Sequence, residues 1–399
     1  MKIAFLDFHL MAFGGGTENF IMNMSSKLRE RGHEVFIITA GKLENDLCRL
    51  LVWQEFCPIR LKEESVKQRI GKTRLEKASC VNLNNAKFIL RECDVIYMRN
   101  EVIDFMFLKT LLGFGGGKPP IICGVHTPIF YRATSLLRSK LHNCLYLSRA
   151  YGRLLRSCSA IHVLNTYDAE LIRNYFGVDR SKIVWLPNSV DITLFSPQEI
   201  SKMNNKFKIL FVGRLEAEKG VDILCQAIAI LSKRHEFGEI EFTFAGSGKM
   251  ERLVASICKR HKNVNCLGHV HLSQMPELYN SHDIVVAPSR WESFPYACLE
   301  PQSCGVPVVA FRIPGPIDVV EDGETGVLVQ PRDVNALAEA MLYMFELRNR
   351  DSQKFKEMKK LARRNVENKF STEVIIENLE SMFLKYRGNN RVNTGESQV

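Results

Sequence analysis

Asp283-Ile-Val-Val-Ala-Pro-Ser-Arg-Trp-Glu292-Ser-Phe-Pro-Tyr-Ala-Cys-Leu-Glu300 carries a strand, a loop and the start of a helix in one run. Asp283–Ala287 is a short apolar, β-branched stretch of the kind buried on both faces of a parallel sheet. Pro295 fits the first turn of a helix, where its missing N–H costs nothing. The free amides of Tyr296 and Ala297 then stand at a helix N-terminus and can cradle an anion. Glu292 lies in the loop before them, and Glu300 about a turn and a half inside the helix. Two carboxylates so placed can hold different hydroxyl groups of one extended ligand. In isolation such a pair is more often a cap acid and a surface helix glutamate; the rest of the chain has to decide.

Outward from this run the same alternation repeats in both directions, as βαβ units require. In the first half the expected strands are 2–8, 34–40, 94–99, 120–127, 160–164 and 182–186. In the second half they are 206–212, 241–245, 264–267, 283–287, 306–311 and 326–329. The fold class is therefore α/β, with two Rossmann-like doubly wound parallel-sheet domains facing each other across a cleft. Turn formers and polar residues from Pro187 through Pro197 to Asn205 break the pattern. The expected division is an N-terminal domain over 1–190, a linker over 191–205 and a C-terminal domain over 206–368. A C-terminal helix over 369–387 is expected to pack back on the N-terminal domain, and 388–399, almost without apolar residues, to be a disordered tail. Open parallel sheets bind ligands beyond the carboxyl ends of their strands, so chemistry is sought just after each strand.

The chain's 399 residues suit two domains, and 46% hydrophobic with 25% charged residues is ordinary globular composition. A net charge of +10 and a pI near 9.0 favour partners bearing phosphate: nucleotides, anionic lipid head groups or nucleic acid. Twelve cysteines are scattered from Cys48 to Cys304 without a C-x-x-C pair, which suits a reducing cytosol and a role as small core residues. The opening Met-Lys-Ile-Ala-Phe-Leu-Asp-Phe is a strand-length run rather than a signal peptide. No stretch reaches ~18 apolar residues, so no membrane span is expected. The expected location is cytoplasmic, with surface attachment to a membrane left open.

Further motifs follow other strands. Gly213-Arg214-Leu-Glu-Ala-Glu-Lys219-Gly220 places two cations five residues apart at a strand mouth, where they can neutralise a diphosphate as it leaves. Glycines in Ala245-Gly246-Ser-Gly248 and Leu267-Gly268-His-Val270 let backbone approach a flat ligand, though each alone is also an ordinary turn. Gly14-Gly15-Gly16-Thr-Glu18 precedes a helical pattern with Phe20, Met24 and Leu28. It departs from the dinucleotide fingerprint, since Asn19 stands where a third glycine belongs. His126 ends a strand; a lone histidine there is more often structural. Asp-x-Asp, an acidic pair that can hold Mg²⁺ or Mn²⁺, occurs nowhere.

Together these motifs resemble the retaining family 4, or group 1, glycosyltransferases of the GT-B fold, specifically from Lys206 to Gly326 and more loosely over 1–190. The resemblance implies that Glu292 binds the donor sugar, Glu300 the ribose hydroxyls, and Arg214 and Lys219 the donor diphosphate. It implies base-binding loops at Gly246 and Gly268 and a glycine loop at Gly15 and Gly16 that closes over the donor. Phe294, Tyr296 and Ala297 fall in its donor-binding segment, and His126 corresponds to a histidine lying against the donor sugar. Asp318 and Pro295 depart from the family's pattern, where a glutamate and a glycine are frequent.

From Phe105 to Tyr167 there is no Asp or Glu, while Lys109, Lys118, Arg132, Arg138, Lys140, Arg149, Arg153 and Arg156 are present. Leucines interleave with the later cations, so 131–157 reads either as basic amphipathic helix near an anionic membrane or as a solvated basic face. The activity the resemblance implies is a retaining transfer of a hexosyl unit from a nucleoside diphosphate sugar to a hydroxyl of a glycan or lipid-linked acceptor. No metal, no cofactor and no nucleic-acid partner is expected. Alternatives are a nucleotide-sugar epimerase of the same architecture, or an inactive relative that binds membranes or polyanions.

Overall fold

Strand and helix alternate along most of the computed structural model, which describes residues 1–7, 16–42, 48–53, 78–81, 83–112, 119–127, 129, 137–199 and 206–387. Two units emerge: Met1–Leu186 with the chain from Ile376 onward, and Pro187–Ile375.

The first unit runs β1 (Lys2–Leu6), α1 (Gly16–Glu30), β2 (Glu34–Lys42), β3 (Cys48–Trp53), β4 (Ala78–Val81), α2 (Leu83–Glu92), β5 (Val95–Arg99), α3 (Val102–Leu112), β6 (Ile121–Val125), α4 (Leu137–Tyr146), α5 (Arg149–Ser157), β7 (Ala160–Val163), α6 (Thr166–Phe176) and β8 (Ile183–Trp185). Its sheet is ordered β4-β3-β2-β1-β5-β6-β7-β8. Ile3–Leu6 of β1 are fully buried because neighbours lie on both sides, with Ile3 opposite Val35 and Val95. Local chemistry sets the helix ends. The Asn165 side chain accepts from the Asp168 amide at the start of α6, and Gly177 closes it at φ 62°.

The expected sheet here had six parallel strands, and two more are present. β3 runs antiparallel to both β2 and β4. An antiparallel neighbour needs no crossover helix, so the β-then-α rhythm of the sequence gives no sign of it.

The second unit runs β9 (Phe207–Val212), α7 (Val221–Leu231), β10 (Ile240–Ala245), α8 (Glu251–Arg260), β11 (Val264–Gly268), α9 (Met275–Asn280), β12 (Ile284–Ala287), α10 (Tyr296–Ser303), β13 (Val308–Phe311), α11 (Pro316–Val319), β14 (Gly326–Val329), α12 (Val334–Arg350) and α13 (Ser352–Lys369), followed by α14 (Thr372–Tyr386). All six strands are parallel, in the order β11-β10-β9-β12-β13-β14. Phe207, Phe242, Phe244 and Phe311 fill its core. The strand order reverses between β9 and β12, so loops leaving those two strands diverge and open a crevice at their carboxyl ends.

The chain joins the second unit earlier than the expected boundary after residue 190. Residues 191–199, expected as linker, are docked there. Phe195 is buried; its carbonyl accepts from Ser303 Oγ at 2.6 Å and from the Arg363 guanidinium at 2.8 Å. The Gln198 amide donates to Asn280 Oδ1 at 2.8 Å. At the other end the division falls at Ile376, inside α14, rather than at 368/369. Beyond it, Glu380 pairs with Arg31 at 2.8 Å and His33 at 2.7 Å, and Tyr386 Oη donates to the Ser181 carbonyl at 2.6 Å. Cys144 and Cys266 are exposed, so the cysteines are not uniformly core residues. Residues 200–205 and the tail 388–399 lie outside the described residues.

Candidate functional site

The loops after β9, β10 and β12 are fastened to one another by backbone. The Gly213 amide donates to the Ala245 carbonyl at 3.0 Å, Leu215 to Ser247 at 2.8 Å, and Gly246 to Gly268 at 2.7 Å. A Cβ on Gly246 would fall on the Gly213 carbonyl oxygen, so this close approach needs glycine. Gly220, in the left-handed region at φ 70°, lies so near Pro288 that a Cβ would strike its carbonyl. The Arg290 amide donates to the Glu218 carbonyl at 2.8 Å, and its guanidinium grips Asp222 through two bonds of 2.7 and 2.6 Å. The charge-assisted fork holds Asp222 below the usual carboxylate range against the opposing effect of burial.

On this frame Lys219 and Glu292 meet. Lys219 Nζ lies 2.5 Å from Glu292 Oε1, which also accepts from Ser289 Oγ at 2.8 Å. Their side chains are 26% and 12% exposed, enough shielding for the pair to be stronger than a surface one. Arg214, five residues earlier, is 64% exposed and 3.4 Å from Glu218. Lys219 is thus built into the frame, whereas Arg214 stands at its rim.

α10 begins one residue later than expected. Pro295 is its N-cap, at φ −84° and ψ 120°, and offers no side-chain acceptor to the first-turn amides. Tyr296 and Ala297 are the first two helical residues, so their N–H groups have no partner within the helix. One turn on, Glu300 Oε2 accepts from Tyr279 Oη at 2.8 Å. Burial pushes the Glu300 carboxyl up to about 7, with the tyrosine bond working against the rise. Phe294 departs from its expected place: its ring is buried against Phe370, with centroids 5.6 Å apart, and its carbonyl accepts from Asn188 Nδ2 at 3.2 Å. It supports the loop rather than lining an open surface. Asp318 Oδ2 accepts from the Gly315 amide at 3.3 Å, capping α11.

The second unit therefore pairs Lys219 with Glu292 on the loops flanking its switch point, with Tyr296, Ala297 and Glu300 following on α10 and Gly246 and Gly268 on the neighbouring loops. Tyr279 holds Glu300, Ser289 holds Glu292 and Asn188 holds the Phe294 carbonyl, and none of the three is among the residues expected from sequence. Ser289 had a signal, since it stands three residues before Glu292 in the same loop.

In the first unit Gly16 opens α1; Gly15 lies outside the described residues. His126 follows β6 and is buried. Its Nε2 is 2.6 Å from Tyr97 Oη, which is 2.6 Å from His162 Nδ1, and His162 Nε2 is 2.6 Å from the Leu186 carbonyl. Burial holds His162 down to about 4 and, with His162 and Arg99 nearby, depresses His126 as well. Among the described residues, no group of three or more His, Cys, Asp or Glu is arranged to hold a metal ion, and no helix is long and apolar enough to cross a membrane.

Two Rossmann-like sheets, the second with acids and a cation on the loops at its switch point, define the GT-B class of glycosyltransferases. Two family models match: "Glycosyl transferases group 1" over residues 206–346 and "Glycosyltransferase Family 4" over residues 14–194. With one model matching each half, the chain belongs to the group 1, family 4 glycosyltransferases. It is 31% identical over 212 residues to a D-inositol 3-phosphate glycosyltransferase of Paenarthrobacter aurescens, a match covering 50% of this chain and 51% of that protein. The chain thus spans about half the length of that curated relative. Among solved structures it is similar to sucrose-phosphate synthase from Thermosynechococcus elongatus (TM-score 0.72, 19% identity, 96% of this chain and 98% of that one). It is also similar to Anabaena Alr3699/HepE in complex with UDP-glucose (TM-score 0.69, 19% identity, 96% and 100%). At such identities the likeness is one of fold.

Proposed function

We propose that the chain is a retaining, metal-independent hexosyltransferase that takes its sugar from a nucleoside diphosphate donor. The observation that carries this reading is the Lys219–Glu292 pair at 2.5 Å beside an uncapped helix N-terminus, with Glu300 one turn further on. Lys219, Arg214 and the amides of Tyr296 and Ala297 supply the positive charge that a departing diphosphate needs. Glu292 holds the sugar, Glu300 the ribose hydroxyls, and the loops at Gly246 and Gly268 the base. His126 is assigned to the donor sugar, and Gly15 with Gly16 to the donor-closing loop, on the family resemblance.

In the transfer, the bond from the anomeric carbon to the diphosphate oxygen breaks and a bond from that carbon to the acceptor oxygen forms on the same face. The acceptor proton passes to the departing diphosphate. A donor with so good a leaving group needs charge stabilisation and positioning more than a strong protein base.

The acceptor hydroxyl belongs to a glycan or to a lipid-linked acceptor. In support of the latter, Leu141 and Leu145 on α4 are 70% and 47% exposed among the cations Lys140, Arg149 and Arg153. Such a surface suits the anionic cytoplasmic face of a membrane, and stronger binding to anionic than to neutral vesicles is its expected mark.

The test is a thermal-shift screen against UDP-, GDP- and ADP-sugars, followed by product analysis of the best donor. Since UDP-glucose occupies one structural neighbour, UDP-sugars come first. Free nucleoside diphosphate plus glycosylated acceptor, undiminished by EDTA, is the expected result. An altered nucleotide sugar without acceptor would instead mark an epimerase, and loss of turnover on chelation would overturn metal independence.

A further inference from the structure

The Tyr97, His126 and His162 side chains come from three places that the sheet brings together. Gly124 lies opposite Arg99 of β5 and His162 of β7, so β6 passes between the two partners of the chain of bonds. A Cβ at Gly124 would fall on Tyr97 Oη and beside His126 Nε2, so a bare backbone there lets the tyrosine reach across to both histidines. Around this trio the rings of Phe5, Phe20 and Phe383 approach Tyr97 to 5.2, 6.1 and 6.1 Å, and Phe20 lies 4.7 Å from His126. The box is apolar, so a polar atom inside it that lacks a partner needs an explanation.

The direction of the bonds is fixed from one end. A carbonyl only accepts, so His162 donates its Nε2–H to Leu186. Neutral His162 then has a lone pair at Nδ1, and Tyr97 Oη–H donates to it. The tyrosine oxygen is left to accept, from His126 Nε2–H. His126 consequently carries its lone pair at Nδ1. That atom is fully buried and has no hydrogen-bond partner among the described residues.

We infer that Tyr97 and His162 are positioning residues that lock His126 as the Nε2–H tautomer, so that its Nδ1 accepts a hydrogen bond from a hydroxyl of a bound sugar. An ionised phosphate or carboxylate oxygen, having no proton to give, is rejected at that atom. The assignment of the hydroxyl to a donor sugar rests on the function proposed above; the tautomer lock does not.

The experiment is ¹⁵N histidine NMR of the full chain at neutral pH. In the ligand-free protein His126 is expected to show a pyrrole-type Nε2 and a pyridine-type Nδ1; the reverse pattern overturns the lock and needs no variant to be seen. In Tyr97→Phe, which keeps the ring and removes the hydroxyl, the Nδ1–H form should rise about fivefold, the worth of one net hydrogen bond. An unchanged tautomer would show that the relay does not set it. UDP-glucose, GDP-mannose and ADP-glucose are then added in turn, each against its free nucleoside diphosphate. At least one sugar nucleotide should move the Nδ1 resonance where its diphosphate does not; if none does, the hydroxyl assignment falls while the lock stands. A wild-type chain with the expected tautomer but no turnover of any donor would fault the proposed function alone.

Discussion

The loops at the switch point of the second unit and the histidine box of the first hold their functional groups by opposite means. In the loops, charge is matched by charge at a half-open surface: Lys219 with Glu292 and Arg290 with Asp222. In the box the three polar side chains are neutral, packed among aromatic rings, and ordered by proton direction alone. Ion pairs in a half-open site can be remade around an incoming charged ligand at small cost. A buried neutral relay cannot rearrange without leaving a polar atom unmatched, which costs about 1–3 kcal/mol. The first arrangement suits a group that arrives and leaves as an anion, the second a group that must be read the same way on every turnover.

The largest expected effect strikes the charged side. Lys219→Ala, leaving Glu292 uncompensated and the diphosphate short of a cation, should lower kcat by about 10²–10³-fold, measured as release of nucleoside diphosphate. A loss under tenfold would put the positive charge elsewhere. Next is Gly124→Ala on the neutral side. The new methyl must displace Tyr97 Oη, so roughly 1–3 kcal/mol of stability should be lost to overpacking, read from chemical denaturation; an unaltered midpoint would show the box to be loose.

Glu300→Gln gives a smaller change whose sign depends on pH. The folded carboxyl, at about 7, lies above its ordinary 4.5, so its protonated form is the one that folding favours. That contribution is complete below the ordinary value and lost as pH rises through 7. The variant should therefore melt a few degrees higher than wild type at pH 8 and show no such gain at pH 4.5, while binding nucleotide more weakly at both. A gain at pH 4.5 equal to that at pH 8 would refute burial as the cause. Smallest is Arg214→Ala: its exposed pair with Glu218 is worth about 0–1 kcal/mol. Melting should stay within a degree or two, whereas the salt dependence of donor KM should flatten.

The same contrast governs what the sequence made legible. Central strands read directly, because residues such as Ile3–Leu6 and Ile284–Ala287 are buried on both faces and must be continuously apolar. Glu292, Glu300 and Lys219 stood out because sites at strand ends draw on short stretches of chain. Tyr97 and His162 did not, since Val-Ile-Tyr-Met and Ala-Ile-His-Val look like ordinary core strands and their meeting is decided by which strands become neighbours. The usable signal was Gly124, a glycine inside a strand, which marks close approach by something else. Strand β3 escaped because it reverses direction, and Phe294 misled because a residue in a site's motif can serve it from the core side.

The path of α14 has a consequence for how the chain reaches its folded state. Phe383 and Tyr386 finish the first unit, yet they are synthesised after all of the second. Until they emerge, residues 1–186 lack the packing these two side chains supply, and the face of Tyr97 that Phe383 covers is bare. On the ribosome the first unit should therefore reach its finished packing only once α14 has emerged, although its sheet is complete long before.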